Sequence, residues 1–169
     1  MTSSPYPTQS SSSVYRTTAD RTTAQKAALA VGAVFLLVGI AGFVPGITQN
    51  LDDIEFAGHE SGAELLGVFQ VSVLHNLVHL AFGIAGLAAA RRYAASRAYL
   101  IGGGVIYLAL FVYGLLVDDD HDANFVPLND ADDWLHLGLG VGMIALGLLL
   151  RDEWVRTGRD PGNDRVVQP

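Results

Sequence analysis

Apolar residues along most of this chain do not alternate with polar ones; they run together. Four runs, at residues 27–44, 73–90, 98–117 and 134–150, are each 17 to 20 residues long and contain no Asp, Glu, Lys or Arg. At 1.5 Å per residue they reach roughly 26–30 Å, about the hydrocarbon thickness of a bilayer. The pattern predicts four membrane-spanning helices. Trp134 and Trp154 flank the fourth run and lie roughly 30 Å apart along a helix, a spacing that suits indoles at opposite membrane interfaces.

The polar residues at the edges of these runs predict how the helices begin. Ser72 is a candidate N-cap for the second, with "ELLGVFQV" before it as a short amphipathic or irregular approach. Asn129 is a candidate cap for the fourth, with Asp132 completing a capping box. The second run opens on "LHNLVHLAFG", which puts His75, Asn76 and His79 among apolar neighbours. On a helix His75, His79, Gly83, Gly86 and Ala90 form one narrow stripe, and His136, Gly140, Met143 and Gly147 form another. Imidazoles facing lipid are unfavourable, so both stripes are expected to face other helices, with the histidines in the outer half of the bilayer.

An internal repeat is a weaker signal. "VHLAFGIAGL" aligns without gaps to "LHLGLGVGMI", pairing His79 with His136. Phe35-Leu36 match Tyr107-Leu108 and Gly42 matches Gly114 more loosely. Such a repeat would be two parallel helix hairpins related by a pseudo-twofold axis along the membrane normal.

Charge then sets orientation. Of 169 residues, 50% are hydrophobic and 16% charged. All ten basic residues precede the first run, separate the second from the third, or follow the fourth. The connections 45–72 and 118–133 hold none, and carry 12 of the 17 acidic residues. By the positive-inside rule both termini are cytoplasmic and both acidic loops face out. The expected fold is all-α: an integral membrane four-helix bundle at residues 26–151. Residues 1–25 and 152–169 read as cytoplasmic tails, the first rich in Ser, Thr and Pro and disordered. The first run follows that tail and has no A-x-A-like site after it, so it reads as a retained span.

Composition narrows the chemistry. The absence of cysteine excludes disulfides, thiolate metal sites and cysteine nucleophiles. A net charge of −7 without a basic face argues against nucleic acid. No serine elbow, H-E-x-x-H motif or phosphate loop is present, and Gly102-Gly103-Gly104 lies inside an apolar run. The first reading of the histidines is hydrogen bonding between helices, to Asn76, carbonyls or hydroxyls. The alternative is a redox or transport component. His79 and His136 would ligate a haem, or His75, His79 and His136 with Asp132 or Asp133 would bind Zn²⁺ or Cu²⁺. A third reading is proton handling. "DDDHD" at the start of the second outer loop could collect cations but lacks EF-hand spacing. Tyr93, Tyr99 and Tyr113 are expected in an interfacial belt, and Tyr107 is expected to find a hydrogen-bond partner inside. Gly138-x-x-x-Gly142 is a close-packing motif for the bundle, or for a homo-oligomer or membrane partner.

The segments "VSVLHNLVHLAFGIAGLAAA", "YLIGGGVIYLALFVYGLLVD" and "ANFVPLNDADDWLHLGLGVGMIALGLLL" resemble the bacterial four-span proteins catalogued as domain of unknown function 4383. The resemblance covers about residues 26–150, and "LHNLVHL" and "WLHLGLGVGM" carry it best. It implies four membrane helices in a bacterial plasma membrane and no activity. Asn124, Pro127 and Asn129 match its loop pattern, implying an ordered outer loop. The function expected is that of a small multi-pass membrane protein in a non-enzymatic structural, regulatory or partner-subunit role.

Overall fold

The computed structural model describes residues 21–117, 121 and 123–150. Residues 22–25 of the expected N-terminal tail form the cap and first turn of the first helix, whereas residues 1–20 and 151–169, Trp154 among them, and Asp118–Asp120 and Asp122 of "DDDHD" lie outside the described residues. Four α-helices form within them: α1 (Thr23–Ala41), α2 (Val73–Ala89), α3 (Tyr93–Leu116) and α4 (Asp130–Leu149). Three of these, α1, α3 and α4, are long and apolar enough to cross a membrane, and α2 is a shorter apolar helix of 17 residues. The helices α1, α3 and α4 start several residues before their apolar runs; the first turns of α1 and α4 are polar and capped, whereas Arg92 at the start of α3 makes no side-chain cap. Thr22 and Gln25 form a reciprocal capping box at α1.

The caps expected at α2 and α4 are present. The Ser72 hydroxyl accepts from the His75 N–H at 3.1 Å. The Val73 and Leu74 N–H groups donate to the Glu55 and Phe56 carbonyls at 3.0 and 2.9 Å. The first turn of α2 is thereby satisfied without water. At α4 the Asn129 side-chain oxygen accepts from Ala131 and Asp132 N–H groups, and Asp132 accepts back from the Asn129 N–H.

The approach to α2 differs from the expectation. The segment is neither irregular nor amphipathic helix but part of a three-stranded antiparallel sheet: β1 (Thr48–Gln49), β2 (Glu64–Leu65) and β3 (Phe69–Gln70), in that order. Two-residue strands leave no alternation to read in sequence, and their hydrogen bonds join distant residues. The sheet is tied to the second outer loop and to α4. The Asn129 amide donates to the Val68 carbonyl at 2.9 Å, the Gln70 N–H to an Asp132 carboxylate oxygen at 3.2 Å, and the Gly58 N–H to the Phe125 carbonyl at 2.8 Å. Asn124 is buried and donates to the Leu128 carbonyl at 3.1 Å, so the loop implied to be ordered is ordered. The two acidic loops thus form one layer across one end of the helices.

Inside that end the packing inverts what water would select. The buried residues of α2 are His75, Asn76, Gly83 and Gly86, while Leu77, Val78 and Ile84 are exposed. Small and polar residues inside, with branched aliphatics outside, are the arrangement expected in lipid. Each first helix packs chiefly on the helix that follows it, α1 on α2 and α3 on α4. A Cβ added to Gly32 would lie 2.9 Å from the Gly83 carbonyl oxygen, and one added to Gly104 would lie 2.7 Å from that of Gly140. Leu36 fills the space beside Gly83 as Leu108 does beside Gly140. The Gln25 amide donates to the Ala90 carbonyl at 3.1 Å, and the Arg97 Nε to the Gly147 carbonyl at 2.8 Å. The Asn76 side chain lies over Gly42 and that of Asp133 over Gly114. Every one of these pairs obeys the alignment read from sequence, so the two hairpins repeat their contacts. Ala28 near the start of α1 clusters with Leu100 near the start of α3, so the hairpins run parallel.

Candidate functional site

Where the hairpins meet, the repeat brings its own equivalents into contact. Phe35 and Tyr107 stack with centroids 5.5 Å apart and planes within 3°. Residues related by a twofold that touch each other must straddle its axis, so this pair marks it. Each ring carries a histidine: Phe35 against His79 at 5.6 Å and Tyr107 against His136 at 5.1 Å. His75 stacks on His79 at 4.4 Å. The three histidines expected to face other helices therefore do so, and two of them sit as symmetry mates.

Hydrogen bonding defines the state of one ring. His79 Nδ1 lies 3.0 Å from the His75 carbonyl oxygen. A carbonyl only accepts, so Nδ1 carries the hydrogen, and Nε2 of the uncharged ring is an acceptor. His136 is 3% exposed, and its Nδ1 has no partner. Asn76 bonds to no histidine; its amide donates to the Gly42 carbonyl at 2.9 Å. It fills the place left by a missing side chain where α2 crosses α1. Tyr107 does not find the partner expected of it: its ring is buried, and its hydroxyl makes no hydrogen bond among the described residues.

Two cavities flank this centre, and both are lined by His75, His79 and His136. One of about 230 Å³ lies between α2 and α3, with Val78, Tyr107 and Leu110 in its wall and Phe125 and Val126 above. The other, about 240 Å³, has Leu135, Val38 and Asp132 in its wall and the sheet residues Leu65 and Phe69 above. Val38 and Leu110 are equivalent positions, as are Leu135 and Val78, so the cavities are symmetry mates too.

The metal set proposed from sequence is not assembled. Among the described residues no group of three or more His, Asp or Glu side chains is arranged to hold a metal ion. His75 and His79 stack face to face, which keeps their nitrogens from converging. One carboxylate oxygen of Asp132 is engaged by the Gln70 and Asn129 N–H groups. Asp133 packs over Gly114. Nor does the centre fit a haem between His79 and His136, because Phe35 and Tyr107 already stack there. Each cavity is also smaller than the roughly 300–1,000 Å³ usual for cofactor sites. In "DDDHD" only His121 is described; its ring nitrogen accepts from the Ala123 N–H at 3.0 Å.

Other expectations fare unevenly. Tyr99 turns inward and donates to the Phe82 carbonyl at 3.2 Å instead of joining a belt. Tyr93 and Tyr113 remain at the helix ends, bonded to the Leu150 and Ala123 carbonyls. Gly138 and Gly142 face outward with nothing within 4 Å of an added Cβ, so they do not pack the bundle. Sequence reasoning missed Phe35 and the Asn76–Gly42 contact as parts of the centre. Extending the repeat alignment two residues towards the N-terminus sets Asn76 on Asp133, which would have found the latter.

A family model described as "Domain of unknown function (DUF4383)" matches residues 25–149. The chain belongs to the DUF4383 family. No curated protein and no solved structure matches it. The DUF4383 match runs from the capping turn of α1 to the last residue of α4, and so covers both hairpins and the histidine centre.

Proposed function

We propose that this DUF4383 protein crosses a bacterial plasma membrane four times, with both termini in the cytoplasm, and acts there as a non-enzymatic partner or structural subunit. The charge pattern supports the orientation: in sequence every basic residue precedes the first apolar run, separates the second from the third or follows the fourth, and none lies in the acidic loops. At 17 residues α2 reaches roughly 26 Å, the lower limit for a span, and its exposed face is apolar from Leu77 to Ile84. In this reading the histidine centre lies in the outer half of the bilayer, under the loop layer.

One observation carries the non-enzymatic reading. The histidine rings pack within their own hairpins, His79 on Phe35 and His136 on Tyr107, the hairpins meet through the Phe35–Tyr107 stack, and no metal-ligand set is formed among the described residues. The test is the visible spectrum and metal content of the purified protein beside His79→Ala and His136→Ala. The proposal expects a colourless, metal-free protein whose variants melt at lower temperature. A Soret band or stoichiometric metal lost in both variants would replace it with the haem or metal reading.

A further inference from the structure

We infer that the cavity between α2 and α3 is a binding site for a hydroxylated ring, a phenol that reaches the histidine centre sideways from the bilayer. The inference rests on the four-span reading, which puts lipid outside that opening. The mouth of the cavity is lined by Val78 and Ile106, each 47% exposed, and Phe125, 57% exposed. Its route of entry is therefore apolar and lateral.

Size selects one ring. A cavity of about 150 Å³ lined by aliphatic and aromatic side chains holds benzene. The about 230 Å³ here takes a ring with a short substituent, and a longer tail would leave through the mouth. Chemistry selects the hydroxyl. The walls are apolar except for His75, His79, Tyr107 and His136. His79 presents an acceptor, because its Nδ1 hydrogen is given to the His75 carbonyl. A phenol brings the donor that this nitrogen accepts, and a plain hydrocarbon or ketone does not. His136 Nδ1, buried and without a hydrogen-bond partner, is left to meet the other face of that oxygen or a water beside it. The Tyr107 ring, backed by Phe35, and the Phe125 ring at the mouth add aromatic wall, which favours a ring over an acyl chain.

The test uses the full chain in lipid nanodiscs and ¹⁹F NMR of 4-(trifluoromethyl)phenol, with 4-(trifluoromethyl)toluene as the hydroxyl-free control. The phenol is expected to bind saturably, and the control at least about tenfold more weakly, the worth of one well-made hydrogen bond. His79→Phe, which keeps the ring and removes the acceptor, is expected to bring the phenol down to the control. Ile106→Trp, on the exposed rim where folding is not at stake, is expected to block both. Competition by a phenol with a long alkyl tail that matches or exceeds 4-propylphenol would make the source a membrane lipid. Weaker competition would make it a free phenol. Equal, non-saturable uptake of both probes, or uptake unchanged by both substitutions, would overturn the site and leave bulk lipid chains in the groove. Cysteine labelling of the loops in intact cells reads the four crossings independently, so failure of the site and failure of the topology are distinguishable.

Discussion

A methyl group added at Gly104 and one added at Gly138 meet opposite surroundings, although both glycines lie in helices of the same hairpin. At Gly104 it would press on the Gly140 carbonyl at 2.7 Å, and at Gly138 it would enter open space. Gly104→Ala, and likewise Gly32→Ala, is therefore expected to destabilise the bundle by about 1–3 kcal/mol, through overpacking that backbone cannot relieve. Gly138→Ala and Gly142→Ala are expected to change stability by no more than about 0.5 kcal/mol. Reversible unfolding in mixed micelles measures all four, and equal effects at the two kinds of site would refute the contact assignment. Leu66 offers a second test at this scale. It has φ +56° and Gly67 φ +67°, and its side chain is exposed at the hairpin tip. A leucine held left-handed costs roughly 1–2 kcal/mol. Leu66→Asn, which creates the Asn-Gly pair this turn prefers, is expected to raise the unfolding midpoint.

Helix ends carry the next set of effects. Ser72→Ala removes the acceptor for the His75 N–H and is expected to cost about 1 kcal/mol. Faster hydrogen exchange should be confined to the first turn of α2. Asn129→Ala should cost more, because its amide also ties α4 to the Val68 carbonyl of the sheet. Much of this level was legible in sequence. Capping residues and apolar runs are local signals, so Ser72, Asn129 and the four helices could be read directly. The histidine stripes were legible for the same reason: one helical face is set by spacing alone. The sheet was not, since its pairs of residues are held by bonds to distant loops. Of the two roles open to Gly138 and Gly142, packing the bundle is excluded and an outward interface remains, a choice the sequence could not make because a G-x-x-x-G spacing names a face but not which way it points. Their offset of two residues from His136 and Gly140 turns them towards the far side of the helix.

At the scale of the molecule, two hairpins with the same internal contacts close on an aromatic pair and enclose twin cavities. The histidine of each hairpin packs on the aromatic residue that marks the axis, so the centre exists only when the hairpins are docked. The metal set is not assembled for a reason no spacing rule contains: His75 and His79 stack, and stacking turns their nitrogens away from a common point. Sequence could place His79 opposite His136, yet it could not show Phe35 and Tyr107 filling the space between. The acidic loops above the centre have no basic residue, and the sequence puts all ten before the first apolar run, between the second and third, or after the fourth. That segregation underlies the central claim of four crossings with the histidine centre on the outer side. The chain contains no cysteine, so single substitutions report cleanly. The decisive measurement is labelling of Glu60→Cys and Arg92→Cys in intact cells with a membrane-impermeant maleimide. The account predicts that Glu60→Cys reacts at once and Arg92→Cys only after the membrane is permeabilised. Labelling of both from outside, or of Arg92→Cys alone, would contradict it.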